Sequence, residues 1–308
     1  MKVLVTGGAG FIGSWVVETL LERGDEVIVL DDFSSGDRRN LKHLLGRAEL
    51  SIVEGDIRDK GSVDQAAGDA DATVHLAAVV SVEEATENPE YACSVNIGGT
   101  LNLLEAARWN RHRRFIYASS VAVYGEPKML PIREDFPLRP ISVYGASKLA
   151  GEGLMHAYAA TYGLSALALR FFNVYGPRQK TGSYSGVIER FIEDANDGKP
   201  LVIEGDGRQT RDFVFVEDVA EAVAVALNRG ATGVLNVGTG RATSVLELAK
   251  AFLRLRGDLH TKKSRGRAGD IRFSQASTAA TAKALGWRAH TSLQEGLEKT
   301  LDYARSVK

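Results

Sequence analysis

The chain has 308 residues, enough for one large α/β domain or for a domain carrying an extra lobe. Hydrophobic residues make up 44% and charged residues 25%, an ordinary balance for a globular protein. The net charge of −1 gives no electrostatic case for nucleic acid or an anionic membrane surface, and no apolar stretch approaches a membrane span. Cys93 is the single cysteine, so no disulfide forms within the chain and a reducing compartment is expected. The first apolar strand opens at the second residue, so no signal peptide is expected and a cytoplasmic location is. The densest basic run, Arg108 to Arg114, falls at a predicted helix end, where cations complement the dipole, and reads as a solvated face.

Val3, Leu4 and Val5 read as a short buried parallel strand. Glycines follow at 7, 10 and 13, and a helical pattern emerges at Phe11 and Ile12 and continues through Trp15, Val16, Leu20 and Leu21. This is a dinucleotide-binding turn with its first spacing one residue wider than the usual GxGxxG. Gly7 allows a tight turn, Gly10 lets the backbone approach a pyrophosphate, and Gly13 lets helix and strand pack closely. The helix N-terminus then offers unpaired N–H groups to the phosphates. A second apolar run, 27–30, ends at Asp31 and Asp32. A carboxylate about 20 residues past the glycines is placed to hydrogen-bond an adenosine ribose and repels a 2′-phosphate, so NAD is favoured over NADP.

Residues 33–48 read as a polar loop with a short helix. Strands are predicted over 50–53, running into Gly55, Asp56 and Ile57; over 72–76, ending at Leu76 before Ala77 and Ala78; and over 114–118, ending at Ser119 and Ser120. Helices over 59–68 and 89–108 separate them. This alternation predicts an α/β fold, a Rossmann-like doubly wound parallel sheet, with ligand beyond the carboxyl ends of the strands. Gly7, Asp31, Asp56, Ala77 and Ser119, all small or polar, stand at those ends.

After a proline-bearing loop, Tyr144-Gly145-Ala146-Ser147-Lys148 opens a helix that runs to about residue 162. Tyr144 and Lys148 share one helical face. An ammonium beside a phenol stabilises the phenolate and lowers its pKa. The same spacing also describes a surface cation–aromatic pair; the glycine turn and the strand-end serines favour the catalytic reading.

The second half changes character. A strand over 166–170 leads into Phe171-Phe172-Asn173-Val174-Tyr175-Gly176-Pro177-Arg178, a loop. Helix 187–197, strand 201–203, strand 213–216, helix 217–229 and strand 234–237 follow, then helix 244–255 capped by Thr243 or Ser244. Residues 257–270 read as a basic loop, and helices 278–285 and 292–305 close the chain. The expected division is a dinucleotide-binding domain over 1–172, with a returning segment at about 213–237, and a smaller C-terminal α/β lobe from 173–212 and 238–308.

The strings TGGAGFIGS, HLAA, NIGGT, SSVAVYG, YGASK, LRFFNVYGPR and GDGRQTRDFVFVEDVA, in order along the chain, resemble the extended short-chain dehydrogenase/reductase family, and within it the NAD-dependent nucleotide-sugar epimerases of the UDP-glucose 4-epimerase type. The resemblance implies bound NAD, a UDP-sugar substrate and inversion at the sugar C4 through a 4-keto intermediate. It implies Tyr144 as general base, Lys148 as its partner and the holder of the nicotinamide ribose, and Ser120 as the group that hydrogen-bonds the 4-oxygen. Gly7, Gly10, Phe11, Ile12, Gly13, Asp31, Asp32, Asp56, Ile57, Leu76, Ala77, Ala78 and Phe171 would join Tyr144 and Lys148 around NAD. Ser81, Ser120, Asn173, Arg211, Arg267 and Ser274 would meet the UDP-sugar, the two arginines by clamping its diphosphate. No metal is implied. The second lobe would hold the nucleotide sugar, and helices 89–109 and 144–162 resemble the pair that forms a four-helix bundle in family homodimers.

Departures from the family pattern narrow the activity. The related 4,6-dehydratases place Thr-Asp-Glu before VYG, whereas Ser120, Val121 and Ala122 stand here, and neither Val121 nor Ala122 can transfer a proton. A sister 4-reductase or dehydratase, or a non-catalytic NAD sensor, remains the alternative. A small Ser274 where a bulky Tyr limits some members to glucose and galactose implies room for an N-acetyl group at C2. Ser277 stands where an Asp is usual and is itself a competent N-cap.

Overall fold

Side chains of the first strand alternate between two apolar cores. Val3 and Val5 pack into one and Leu4 into the other, so both faces of the strand must be covered. The computed structural model describes residues 1–180, 186–265 and 271–306. In chain order the first half holds β1 (Lys2–Thr6), α1 (Phe11–Glu22), β2 (Glu26–Asp31), β3 (Leu50–Glu54), α2 (Lys60–Ala67), β4 (Ala72–His75), α3 (Val82–Glu87), α4 (Pro89–Cys93), α5 (Thr100–Trp109), β5 (Arg114–Ser120), α6 (Val143–Tyr162) and β6 (Ala166–Phe171). The second half holds β7 (Asn173–Tyr175), α7 (Val187–Asn196), β8 (Leu201–Glu204), β9 (Thr210–Arg211), β10 (Phe213–Phe215), α8 (Val216–Asn228), β11 (Gly233–Val237), β12 (Thr243–Ser244), α9 (Val245–Leu255), β13 (Thr261–Ser264), α10 (Ala279–Leu285) and α11 (Leu293–Ser306). No described helix is long and apolar enough to cross a membrane.

Seven parallel strands form a Rossmann-like sheet in the order β11-β6-β5-β4-β1-β2-β3. Val16, Val17, Leu20 and Leu21 of α1 and Val219, Val223 and Leu227 of α8 cover one face. Val63 of α2, Leu103 and Leu104 of α5 and Met155 of α6 cover the other. The chain leaves β1 toward β2 on one side and reaches β4 on the other, which opens a crevice at the carboxyl ends.

The glycine turn forms as the spacing requires. Gly7 has φ +69°, and a Cβ there would stand 2.8 Å from the Ala77 amide nitrogen. A Cβ at Gly13 would overlap the Gly7 carbonyl oxygen. Gly10 caps α1 with no side-chain hydrogen bond, so the first amides of the helix are left for a ligand.

Beyond this sheet, β7 pairs with β10, β9 with β12, and β8 with β13. Phe191 of α7, Leu248 and Phe252 of α9 and Leu297 of α11 form a third core over them. Within the returning segment β11 enters the large sheet, and β10 pairs with β7. Other expectations need correcting. The basic loop contains β13, whose residues are all exposed, so no apolar alternation announced a strand. The run from Arg108 to Arg114 is not simply a solvated face. Arg114 is buried, with its guanidinium donating to Ser165 Oγ at 2.9 Å and to the carbonyls of Ala226 and Ala231 at the end of α8. His112 is buried as well, its Nδ1 paired with Thr73 Oγ1 at 2.8 Å. Ser244 rather than Thr243 caps α9, in a reciprocal capping box with Glu247. At α10 the N-cap is Thr278, not Ser277, and it makes no side-chain cap bond.

Gly13→Ala drives a methyl group into the Gly7 carbonyl. The substitution is expected to lower stability by about 3 kcal/mol, read by calorimetry, and to strip the turn of its ligand-binding geometry.

Candidate active site

A cavity of about 790 Å³ runs along the carboxyl ends of β1 to β6 and on to β9 and α7. Gly7, Gly10, Phe11, Ile12, Gly13, Asp31, Asp32, Asp56, Ile57, Leu76, Ala77, Ala78 and Phe171 all line it. So do Ser120, Tyr144, Lys148, Asn173 and Arg211. The structure thus brings together thirteen positions expected around NAD and five of those expected to react or to meet substrate.

Two expected substrate contacts stand apart. Ser81 is not among the lining residues; its hydroxyl caps α3 by accepting the Glu84 amide at 3.0 Å. Ser274 is 3% exposed, its hydroxyl lacks a hydrogen-bond partner among the described residues, and it does not line the cavity. The Thr210 amide donates to the Arg272 carbonyl at 3.0 Å, which lays this segment behind β9 and leaves Ile271, not Ser274, on the cavity wall. Arg267 lies outside the described residues.

At the dinucleotide end, Asp31 accepts the amides of Ala9 at 2.8 Å and Phe33 at 2.9 Å, so its carboxylate braces the glycine turn as well as facing the cavity. Burial raises its pKa. Asp32 accepts the Ser34 amide at 3.0 Å. Asp56 is held below the ordinary carboxylate range by Arg58, whose guanidinium pairs with it at 2.5 Å. An uncapped helix N-terminus beside glycines without Cβ atoms fits a pyrophosphate, and two carboxylates at the ends of β2 fit a ribose diol. The residues present therefore suit NAD.

The reactive end is built on α6 and β5. Ser142 caps α6 by accepting the Gly145 amide at 3.1 Å, which starts the helix at the turn that carries Tyr144. The Tyr144 hydroxyl lies toward the Ser120 side chain, which lowers its pKa. Ser120 Oγ also accepts the Ala122 amide at 3.2 Å. Lys148 is buried and donates to the Ala118 carbonyl at 2.9 Å. Burial pushes the Lys148 amine down to about 8. Burial also raises the Tyr144 phenol, and the lowering influence on it is the Ser120 side chain. The expectation that Lys148 depresses Tyr144 is thereby corrected for this state: loss of hydration outweighs other influences on the phenol, and the ammonium is spent on a backbone carbonyl. The site holds a phenol raised by burial and, one turn on along α6, an amine pushed down to about 8.

A supporting network escaped the sequence reading. Residues 94–99 form a π-helical turn between α4 and α5. It turns Asn96 inward, where Oδ1 accepts the Val79 amide at 2.8 Å and Nδ2 donates to Ser147 Oγ at 2.9 Å. His75 bridges Thr6 Oγ1 at 2.8 Å and Thr100 Oγ1 at 2.9 Å. Thr100 donates its own proton to the Asn96 carbonyl at 2.6 Å, so His75 must donate from Nε2 and accept from Thr6 at Nδ1. Burial holds this imidazole neutral, with its pKa down to about 3. The signal was present in NIGGT: a Cβ at Gly99 would overlap Ile57, and paired glycines inside a helix need such a reason.

At the far end, Val187, Val202, Phe213, Val245 and Ile271 line the wall with Gln209 and Arg211. Asn173 Oδ1 and Gln179 Oε1 are buried without a partner among the described residues, and both residues line the cavity. Two acceptors lacking donors suit a ligand rich in hydroxyl groups.

Residues 3–238 match the family model described as the NAD dependent epimerase/dehydratase family. Along 311 residues the chain is 39% identical to a putative UDP-glucose 4-epimerase of Methanocaldococcus jannaschii, covering 99% of this chain and 98% of that one. Among solved structures it resembles the UDP-N-acetylglucosamine 4-epimerase of Methanobrevibacter ruminantium in complex with UDP-N-acetylmuramic acid, at TM-score 0.96 and 34% identity, over 100% of this chain and 99% of that chain. It also resembles the Thermus thermophilus UDP-glucose 4-epimerase complex with NAD, at TM-score 0.91 and 39% identity, over 100% of both chains.

One buried acid on the cavity wall sets a pH dependence. Glu189, in the first turn of α7, is pushed up from 4.5 to about 7 by burial. Between those values the native state holds a proton that the unfolded chain has lost, so stability falls as pH rises through the window. The whole shift, 4.5 to about 7, corresponds to about 3 kcal/mol. Glu189→Gln should therefore raise the melting temperature at pH about 8 and leave it nearly unchanged at pH about 4.

Proposed function

Since the chain belongs to the NAD dependent epimerase/dehydratase family, we propose that it is a UDP-sugar 4-epimerase that interconverts UDP-glucose with UDP-galactose and UDP-N-acetylglucosamine with UDP-N-acetylgalactosamine. The observation that carries this reading is that Ser120, Tyr144 and buried Lys148 line one cavity together with Ala122. A dehydratase needs an acid and a base where Val121 and Ala122 stand, and neither side chain moves a proton. The N-acetyl substrates are supported by the UDP-N-acetylglucosamine 4-epimerase neighbour and no longer by Ser274, which is off the wall.

Bound NAD supplies a hydride acceptor and donor at the sugar C4. Tyr144 takes the proton of the 4-hydroxyl and returns it after the keto sugar has turned over. Ser120 donates its single proton to the 4-oxygen while its Oγ keeps the Ala122 amide. Lys148, buried at the cavity wall, holds the nicotinamide ribose in this reading. Asn173 and Gln179 offer acceptors to hydroxyl groups, and Arg211 offers a guanidinium fork to the diphosphate. Ser81 acts as a helix cap in this reading, and Arg267 is a second diphosphate ligand.

The assembly we infer is a homodimer through α5 and α6. Trp109 is 72% exposed and Tyr162 47%, and the Arg108 guanidinium lies 3.9 Å from the Tyr162 ring and 4.8 Å from the Trp109 ring. Such a cluster of exposed aromatics on two adjacent helices supports burial against a second copy. A cytoplasmic location and a place in galactose metabolism go with this reading.

Incubation with UDP-glucose and with UDP-N-acetylglucosamine, without added cofactor, should yield the C4 epimer of each; turnover of neither sinks the proposal. Tyr144→Phe should cost about a hundredfold or more in kcat and leave nucleotide-sugar binding intact, as read by calorimetric titration. Trp109→Glu should shift the sedimentation coefficient from dimer to monomer.

A further inference from the structure

Behind the reactive residues lies a buried ion pair to which the reaction as described gives no role. Glu152 stands on α6 two turns past Tyr144 and one past Lys148, on the same ridge. Its carboxylate receives the Arg170 guanidinium at two points, Nε to Oε1 at 2.9 Å and one terminal nitrogen to Oε2 at 2.7 Å. The side chains are 8% and 2% exposed. Ser119 Oγ donates to the same carboxylate at 2.5 Å. The other arm of Arg170 donates to Tyr124 Oη at 2.8 Å and to the Glu134 carbonyl at 3.1 Å, and Tyr124 passes its proton to Asn236 Oδ1 at 2.7 Å.

Each of the first three residues is linked to a reactive one. Ser119 precedes Ser120 at the end of β5. Arg170 precedes Phe171 at the end of β6, and Asn173 follows two residues later. Glu152 shares α6 with Tyr144 and Lys148. We infer that the Glu152–Arg170 pair is a positioning device: it sets the register of α6 against β5 and β6, and so holds the Tyr144 hydroxyl on Ser120. The planar fork of Arg170 is what makes the register definite, since two parallel hydrogen bonds fix orientation as well as distance. A buried pair of this kind is poor at adding stability, because both charges lose their hydration. Geometry is what it supplies. An error of about 1 Å between reacting groups can cost about a hundredfold in rate.

The inference rests on the epimerase reading for its kinetic test and on structure alone for the other. Glu152→Gln and Arg170→Lys break the fork with little change of volume. A double variant, Glu152→Met with Arg170→Met, replaces the pair by apolar groups and guards against an uncompensated buried charge. In any variant that keeps the wild-type melting temperature, kcat for C4 inversion is expected to fall at least about tenfold, with KM and bound NAD content within about twofold of wild type. A crystal structure of that variant should show the Tyr144 hydroxyl displaced from Ser120. A folded variant with wild-type kcat overturns the inference, as does parallel loss of kcat, KM and NAD, which marks a merely structural pair. Wild-type protein that fails to invert C4 sinks the epimerase reading alone; the Tyr144–Ser120 distance in the variant still decides the role of the pair.

Discussion

The carbonyl oxygen of Gly7 occupies the space a Cβ at residue 13 would need, and the geometry of the whole crevice follows from that contact. Because Gly13 yields the space, α1 starts directly beyond β1 with its first amides uncapped and turned to the cavity. Because Gly7 itself stands at φ +69° against the Ala77 backbone, the ends of β1 and β4 approach closely where the strand order divides. The same helix then reaches into the second half of the chain. Trp15 Nε1 donates to the Pro177 carbonyl at 3.1 Å, the Arg178 guanidinium lies 4.0 Å from the Trp15 ring, and Arg178 pairs with Glu18 at 2.6 Å. A turn that positions phosphates thus also anchors the loop following β7, which carries Gln179 onto the cavity wall.

Loss of hydration is the second organising influence. It raises the phenol of Tyr144 and the carboxyl of Glu189 and lowers the amine of Lys148 and the imidazole of His75. Every one of these shifts favours the neutral form. Proton transfer at C4 requires the phenol to ionise, which this burial makes costlier; the Ser120 side chain acts in the opposite direction and lowers the phenol. Other buried polar groups are held by full sets of partners. Glu152 and Arg170 face each other through two hydrogen bonds, and the Asp212 carboxyl, which burial also raises, accepts the amides of Thr239, Gly240 and Ala276, each within 2.9 Å. These full complements tie α6 to the sheet and the segment after residue 271 to β9, so that reactive groups borrow rigidity from groups that never react.

Much of the site was legible because its signals are local. A glycine at a turn, a carboxylate at a strand end and a Tyr/Lys pair on one helical face each depend on a few neighbouring residues, and these positions do line the cavity. The substrate contacts were less legible. Ser81 and Ser274 have the right size and polarity, but their places depend on other elements. The Ser81 hydroxyl meets a helix N-terminus three residues ahead, where accepting an orphan amide is the stronger demand. Ser274 is turned away by the pairing of residues 210 and 272. Asn96 went unassigned because its inward turn comes from one π-helical step, which a 3.6-residue pattern does not announce.

The amino-acid sequence alone determined the fold class and the position of the crevice, and it singled out Ser120, Tyr144 and Lys148, which all line that crevice. Alternating apolar faces and glycines without Cβ atoms leave few other ways to bury the strands and turn the chain. Only the tertiary structure decided where individual polar side chains end. Arg114 at the end of α8, β13 beside β8, Lys148 on the Ala118 carbonyl and Glu152 on Arg170 are all meetings of segments far apart in the chain. Their partners are set by the packing of whole elements and by the need to satisfy every buried donor and acceptor, and that requirement has no local period to read.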